Sequence, residues 1–206
     1  MATTHPTTAD RAATRGTRRA LLIVDVQPTF CEGGGLAVAG GNAVAVAVAA
    51  YAAAHRDRYD AVVTTQDWHV DPGAHFSAAP DYVDTWPPHG VAGTAEAELH
   101  PALGDLHPDA SVRKGAYAAA YSGFEGTDPG GRTLETVLRE AGIDAVDVVG
   151  IAESHCVKAT ALDAHALGLT TRVLTDLTVP VTPEQGATAR TELAAAGVGL
   201  VASSQA

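Results

Sequence analysis

Residues 20–26 read Ala-Leu-Leu-Ile-Val-Asp-Val, apolar at every position but one. A strand with one wet face alternates polar and apolar side chains, whereas a strand covered on both faces does not. This run therefore demands a layer of structure on each side of it. Strand-like runs return at residues 61–65, 111–114, 145–149, 170–176 and 198–202. Helical patterns fall between them at residues 43–54, 133–140, 154–167 and 183–197. In the first of these, Val44, Val46 and Val48 alternate like a strand, but the length and alanine content favour a helix, with Asn42 placed to cap it. Alternating strands and helices predict an α/β fold of three layers, αβα. Its central sheet is mostly parallel, with about six strands and helices on both faces.

The 206 residues suit one domain over residues 20–206. Residues 1–19 are rich in Arg and Thr, lack an apolar face and read as a disordered tail, not a signal segment. That tail carries four Arg and one Asp, which leaves the body with 9 basic and 23 acidic side chains, a net charge of −14. A body that acidic argues against nucleic acid and anionic membranes as partners, and no apolar run reaches the length of a membrane span. Two cysteines, Cys31 and Cys156, are too few for a disulfide framework, so a cytoplasmic location is expected. Monomer and homo-oligomer both remain open.

The chemistry concentrates at strand ends. Residues 150–157 read GIAESHCV, between the run at 145–149 and the helix beginning at 154. Cys156 thus falls in the first turn of a helix, where unpaired N–H groups and the helix dipole favour a thiolate. The same N–H groups can stabilise an oxyanion. Taken alone, the cysteine fits a buried, inert thiol equally well. Asp25 ends its strand where open α/β sheets place ligands, and a carboxylate in an apolar segment is costly without a partner. Lys114 ends another strand at the same edge. Alone it reads as a solvated lysine; beside Cys156 it would lower the thiolate pKa. His155 adjoins Cys156, but neighbours i and i+1 on a helix do not face each other. Asp25 is therefore the preferred base, with His155 in a supporting role.

Residues 67–100 form a long stretch with little periodicity, of the kind that usually carries function. Asp67 and His69, two apart in extended chain, point the same way, and His75 and His89 follow. Any one of these histidines alone suits the surface. Together the four offer three imidazoles and one carboxylate, which suit a single divalent ion: Zn, Fe or Mn, with Zn favoured.

With these residues in view, the chain resembles the nicotinamidases (pyrazinamidases) of the isochorismatase-like cysteine hydrolases. The matching segments are IVDVQPTFCEGG, TQDWHVDPGAHFS, TWPPHGVAGT, RKGAYAAAYSGFEG and VVGIAESHCV, in family order. The resemblance implies a catalytic triad of Cys156, Asp25 and Lys114 and a metal held by Asp67, His69, His75 and His89. It implies a substrate pocket built from Phe30, Trp86, Tyr121, Ile151 and Ala152, with a cis peptide between Ile151 and Ala152. The backbone N–H groups of Ala152 and Cys156 would form the oxyanion hole. The implied reaction converts nicotinamide and water to nicotinate and ammonia through a thioester, a step of NAD salvage, with activity on pyrazinamide. Another small amide, such as a carbamoyl or ureido compound, is the alternative substrate; isochorismate hydrolysis, or a binding module without catalysis, stands further off.

The chain departs from the family pattern at three places. Gln27-Pro28-Thr29-Phe30 replaces Gln-Asn-Asp-Phe, and Pro28 should hold Gln27 extended. Glu153-Ser154 replaces Thr-Asp, with Ser154 able to cap the helix. Gly90 stands where Cys is frequent.

Overall fold

The protein is described by a computed structural model covering residues 16–206. Six strands form one all-parallel sheet: β1 (Arg19–Val24), β2 (Ala61–Asp67), β3 (Ala110–Lys114), β4 (Ala145–Ile151), β5 (Thr170–Val179) and β6 (Gly199–Val201). Their order is β3-β2-β1-β4-β5-β6. Four helices connect them: α1 (Gly41–Ala54), α2 (Leu134–Glu140), α3 (Lys158–Ala166) and α4 (Pro183–Ala196). The predicted strands and helices are all present.

Side chains alternate across β1, which explains its uniform apolarity. Ala20, Leu22 and Val24 join a core with Leu134 and Leu138 of α2, Ala161 and Ala164 of α3, and Leu193 of α4. Leu21 and Ile23 face the other way, into a core with Val44, Ala45 and Val48 of α1. The alternating valines of α1 are thereby resolved. Val44 and Val48, one turn apart, are buried, and Val46 is exposed.

Two caps differ from expectation. Asn42 does not cap α1. The capping position is Gly40, whose φ of 91° needs a glycine. The carboxylate of Glu32 accepts from the backbone N–H groups of Gly40 (2.6 Å) and Asn42 (2.8 Å), supplying from a distance the negative charge that a helix start favours. Ser154 does not cap the helix after β4 either. Its Oγ pairs with His155 Nδ1 (2.9 Å) and accepts from Val181 N (3.2 Å).

Within β4, Asp147 is fully buried but fully paired, with Arg19, Arg172 and Tyr59 all donating to it. Of the tail expected over residues 1–19, residues 1–15 lie outside the described residues. Arg18 is bonded to Asp60 and Asp144, and Arg19 opens β1. No helix among the described residues is long and apolar enough to cross a membrane.

The strand order has a chemical consequence. Successive crossovers run outward in opposite directions from β1 and β4, so these two adjacent strands define the switch point where doubly wound sheets hold ligands. Asp25 follows β1 directly, and residues 152–156 follow β4.

Candidate active site

Beyond β4, the peptide between Ile151 and Ala152 is cis. The chain then makes one π-helical turn, Glu153–Val157, before α3 begins. Cys156 sits in this turn, 7% exposed. Lys114, the last residue of β3, extends beneath it. Its Nζ lies 3.7 Å from Cys156 Sγ and 3.0 Å from Asp25 Oδ2, and it also donates to Asp67 Oδ1 and to the carbonyl of Ala120 (3.2 Å). Asp25, with a φ of 47°, is held at its other oxygen by the Thr65 hydroxyl (2.6 Å). Asp25, Asp67 and Cys156 present their polar atoms within 4.8 Å of one another. The Lys114 ammonium already supplies a cation among them, so these three are a lysine-centred cluster and not a second metal site.

Charges in this cluster settle one expectation differently. Burial pushes the Cys156 thiol well above its ordinary pKa; Lys114 pulls it down, but Asp25 and Asp67 add to the rise. Burial is the larger effect, and the helix start and one lysine shared between two carboxylates do not offset it. Burial likewise opposes the Lys114 ammonium, yet Asp25 and Asp67 hold its pKa well above the usual lysine range. Asp25 is raised, chiefly by burial. Asp67, although buried, is held well below the carboxylate range, chiefly by the Lys114 ammonium. Asp25 is thus the carboxylate that more readily takes a proton.

The second cluster begins at Asp67. Its Oδ2 lies 3.6 Å from both His69 Nε2 and His89 Nε2. That is too long for a hydrogen bond, and donor atoms sharing one ion through bonds of about 2.1 Å lie about 3.0–3.4 Å apart. His69 Nδ1 faces the Gly115 carbonyl (2.6 Å) and His89 Nδ1 faces that of Pro87 (2.8 Å). A carbonyl can only accept, so each Nδ1 carries a proton, which leaves Nε2 as the nitrogen that would ligate a metal. His69, His75 and His89 bring nitrogen atoms within 4.8 Å of one another. His69 Nε2 and His75 Nδ1 are buried without a hydrogen-bond partner. Burial, with His89 and His69 nearby, lowers the His75 pKa to about 4, so that imidazole is neutral, as ligation requires. A buried carboxylate and three imidazoles fit a divalent ion.

Beside both clusters lies a pocket lined by Phe30, Trp86, Tyr121, Ala152 and Cys156, with His75 and His89 also in its wall. Trp86 Nε1 donates to the Tyr121 hydroxyl (3.0 Å), which fixes two walls together. Ile151 is not on the wall; its side chain is fully buried in the core beside α1. The sequence reading missed Leu36, Val38, His155 and Val181, which complete the lining. His155 packs edge-on to Trp86 at 5.4 Å between ring centroids. Its position beside Cys156 was a signal for it; Leu36 and Val38, in a glycine-rich loop, carried none.

The departures from the family pattern now have addresses. Gln27 is extended (φ −126°, ψ 149°), and Pro28 opens a short 3-10 turn ending at Phe30. The Gln27 amide donates to the Asp67 carbonyl (3.0 Å) and accepts from Asp67 N (2.9 Å), locking that residue. A Cβ at Gly90 would meet Asp67 Cβ at 2.9 Å, so a side chain there presses on Asp67.

The chain belongs to the isochorismatase family: the profile of the Isochorismatase domain matches residues 19–205. It is similar to the nicotinamidase/pyrazinamidase of Mycobacterium tuberculosis (strain ATCC 25618 / H37Rv), at 54% identity over 186 residues, covering 90% of this chain and 100% of the relative. Among solved structures it is similar to the pyrazinamidase of Pyrococcus horikoshii in complex with zinc, at 34% identity and a TM-score of 0.79, covering 90% of this chain and 99% of that one. It is similar as well to PnC1 from L. infantum in complex with nicotinate, at 35% identity and a TM-score of 0.79, covering 91% and 94%.

Proposed function

We propose that this chain is a nicotinamidase, hydrolysing nicotinamide to nicotinate and ammonia in NAD salvage and accepting pyrazinamide. One observation carries the reading: a single aromatic pocket is lined both by Cys156, which adjoins Lys114 and Asp25, and by the imidazoles of His75 and His89. The relatives named above support it.

In this reading the flat ring lies between Phe30 and Trp86 with its carboxamide toward Cys156. A divalent ion, zinc by preference, held by Asp67, His69, His75 and His89 would supply an electrophilic anchor for the ring nitrogen. Asp25 takes the thiol proton as Cys156 Sγ bonds to the carboxamide carbon. Backbone N–H groups of Ala152 and Cys156 stabilise the oxyanion. Asp25 returns the proton to the nitrogen, the C–N bond breaks, and ammonia leaves a thioester. Asp25, again a carboxylate, takes a proton from water as the water oxygen bonds to the thioester carbon. The C–S bond breaks, Asp25 reprotonates the sulfur, and nicotinic acid departs, losing its proton to solvent to become nicotinate. Lys114 keeps Asp25 and Asp67 compensated throughout.

The partner in this reading is a small molecule, and the location is cytoplasmic, in keeping with two unpaired cysteines. The test is ammonia and nicotinate release from nicotinamide by the zinc-loaded protein. No release from nicotinamide, with release from a ureido or carbamoyl compound, would replace the substrate assignment. No release from any amide would end the enzymatic reading.

A further inference from the structure

We propose that Arg190, on α4, is a positioning residue for Cys156, acting through buried Glu153 to hold the turn that carries the thiol. The proposal rests on the reading of Cys156 as nucleophile and adds a residue that touches neither substrate nor thiol.

Glu153 lies three residues before Cys156 and has no exposed surface. Both of its oxygens are taken by one guanidinium: Arg190 Nε donates to Oε1 (2.7 Å) and a terminal nitrogen donates to Oε2 (3.0 Å). Such paired bonds fix orientation as well as distance. Arg190 is absent from the pocket wall, and its side chain is about half exposed, so any effect on chemistry passes through Glu153.

The turn needs outside support. It is π-helical, with Val157 N donating to Ala152 O (3.2 Å) and Lys158 N to Glu153 O. Such turns are wide and rare, and occur often at functional sites. Two ties fasten this one to residues 181–190, Glu153 to Arg190 and Ser154 Oγ to Val181 N (3.2 Å), and Lys158 Nζ to Glu192 Oε2 (2.7 Å) fastens the residue that follows it. Of the two ion pairs, only the first has a fully buried partner. The helix also comes close. A Cβ at Gly186 would meet Pro180 at 2.8 Å and Glu153 Oε2 at 3.6 Å. Without Arg190 the buried carboxylate has no compensating cation, and the turn must move to give it water. Of the Glu153-Ser154 pair that departs from the family pattern, Glu153 is thus tied into α4 and Ser154 to Val181 just before it.

The experiment compares wild type, Arg190→Met and Arg190→Lys as full-length, zinc-loaded protein. It reads kcat and KM for nicotinamide, the rate of Cys156 alkylation by iodoacetamide, and Tm. Arg190→Met is expected to lower kcat by about tenfold or more with KM within about twofold, since displacement of reacting groups costs rate before binding. Its alkylation rate should shift with kcat. Arg190→Lys should recover part of the loss, because one ammonium can hold one oxygen. A kcat for folded Arg190→Met equal to wild type overturns the proposal, even if Tm falls, because the pair would then serve stability alone. If wild type fails to hydrolyse nicotinamide, the amidase reading fails by itself. The alkylation arm then decides: an unchanged rate in Arg190→Met overturns the positioning role, and a changed rate upholds it.

Discussion

Lys114 Nζ stands 3.0 Å from Asp25 Oδ2, with both side chains fully buried, and the same ammonium donates to Asp67. One cation thus compensates both the proposed base and the first proposed metal ligand. The two halves of the site are electrostatically a single unit.

Removing that cation should damage more than catalysis. Lys114→Met leaves two buried carboxylates uncompensated and should cost about 3–5 kcal/mol of stability. Urea unfolding of metal-free wild type and variant measures it. A loss below about 1 kcal/mol would mean that water reaches the carboxylates.

Cys156→Ala should fold and still bind nicotinamide, but ammonia release should fall by at least about 10³-fold. Cys31→Ala should keep most activity, since Cys31 is buried with its thiol raised to about 11 by burial and Glu32. Retained turnover in Cys156→Ala would remove the covalent mechanism.

The raised pKa of Cys156 has a definite sign in pH. A raised thiol pKa means the neutral form at pH 7, so alkylation should rise about tenfold per unit from about pH 7 to pH 9 without levelling. A plateau below about pH 8 would reveal a resting thiolate paired with Lys114.

Gly115 has a φ of 75°, and a Cβ there would meet His69 Cε1 at 2.5 Å. Its carbonyl also sets the His69 tautomer. Gly115→Ala should therefore weaken zinc binding by about 10–100-fold, read by chelator competition. Unchanged affinity would take His69 out of the ligand set.

Stripping zinc should abolish ammonia release yet leave Cys156 alkylation near its loaded rate, if the metal positions substrate. Loss of both together would assign the metal to the site's architecture. Unchanged ammonia release after verified removal would exclude the positioning role.

Local patterning along the chain specified the layers and the residue types at the strand ends. Periodicity is a local property, and β1 shows it: an apolar run must be covered on both sides, and its terminal carboxylate must find a partner. Asp67 and His69 declared a shared direction by their spacing. The cap of α1 was not legible, because Glu32 reaches it across a loop that no local pattern describes. Nor was the inward turn of Ile151, which depends on which face β4 gives to α1. The charge state of Cys156 was furthest from sequence. It is a sum over Lys114, Asp25 and Asp67, brought together from three strands, and over water excluded by packing. Distances between residues remote in the chain decide such sums, and only the tertiary structure contains them.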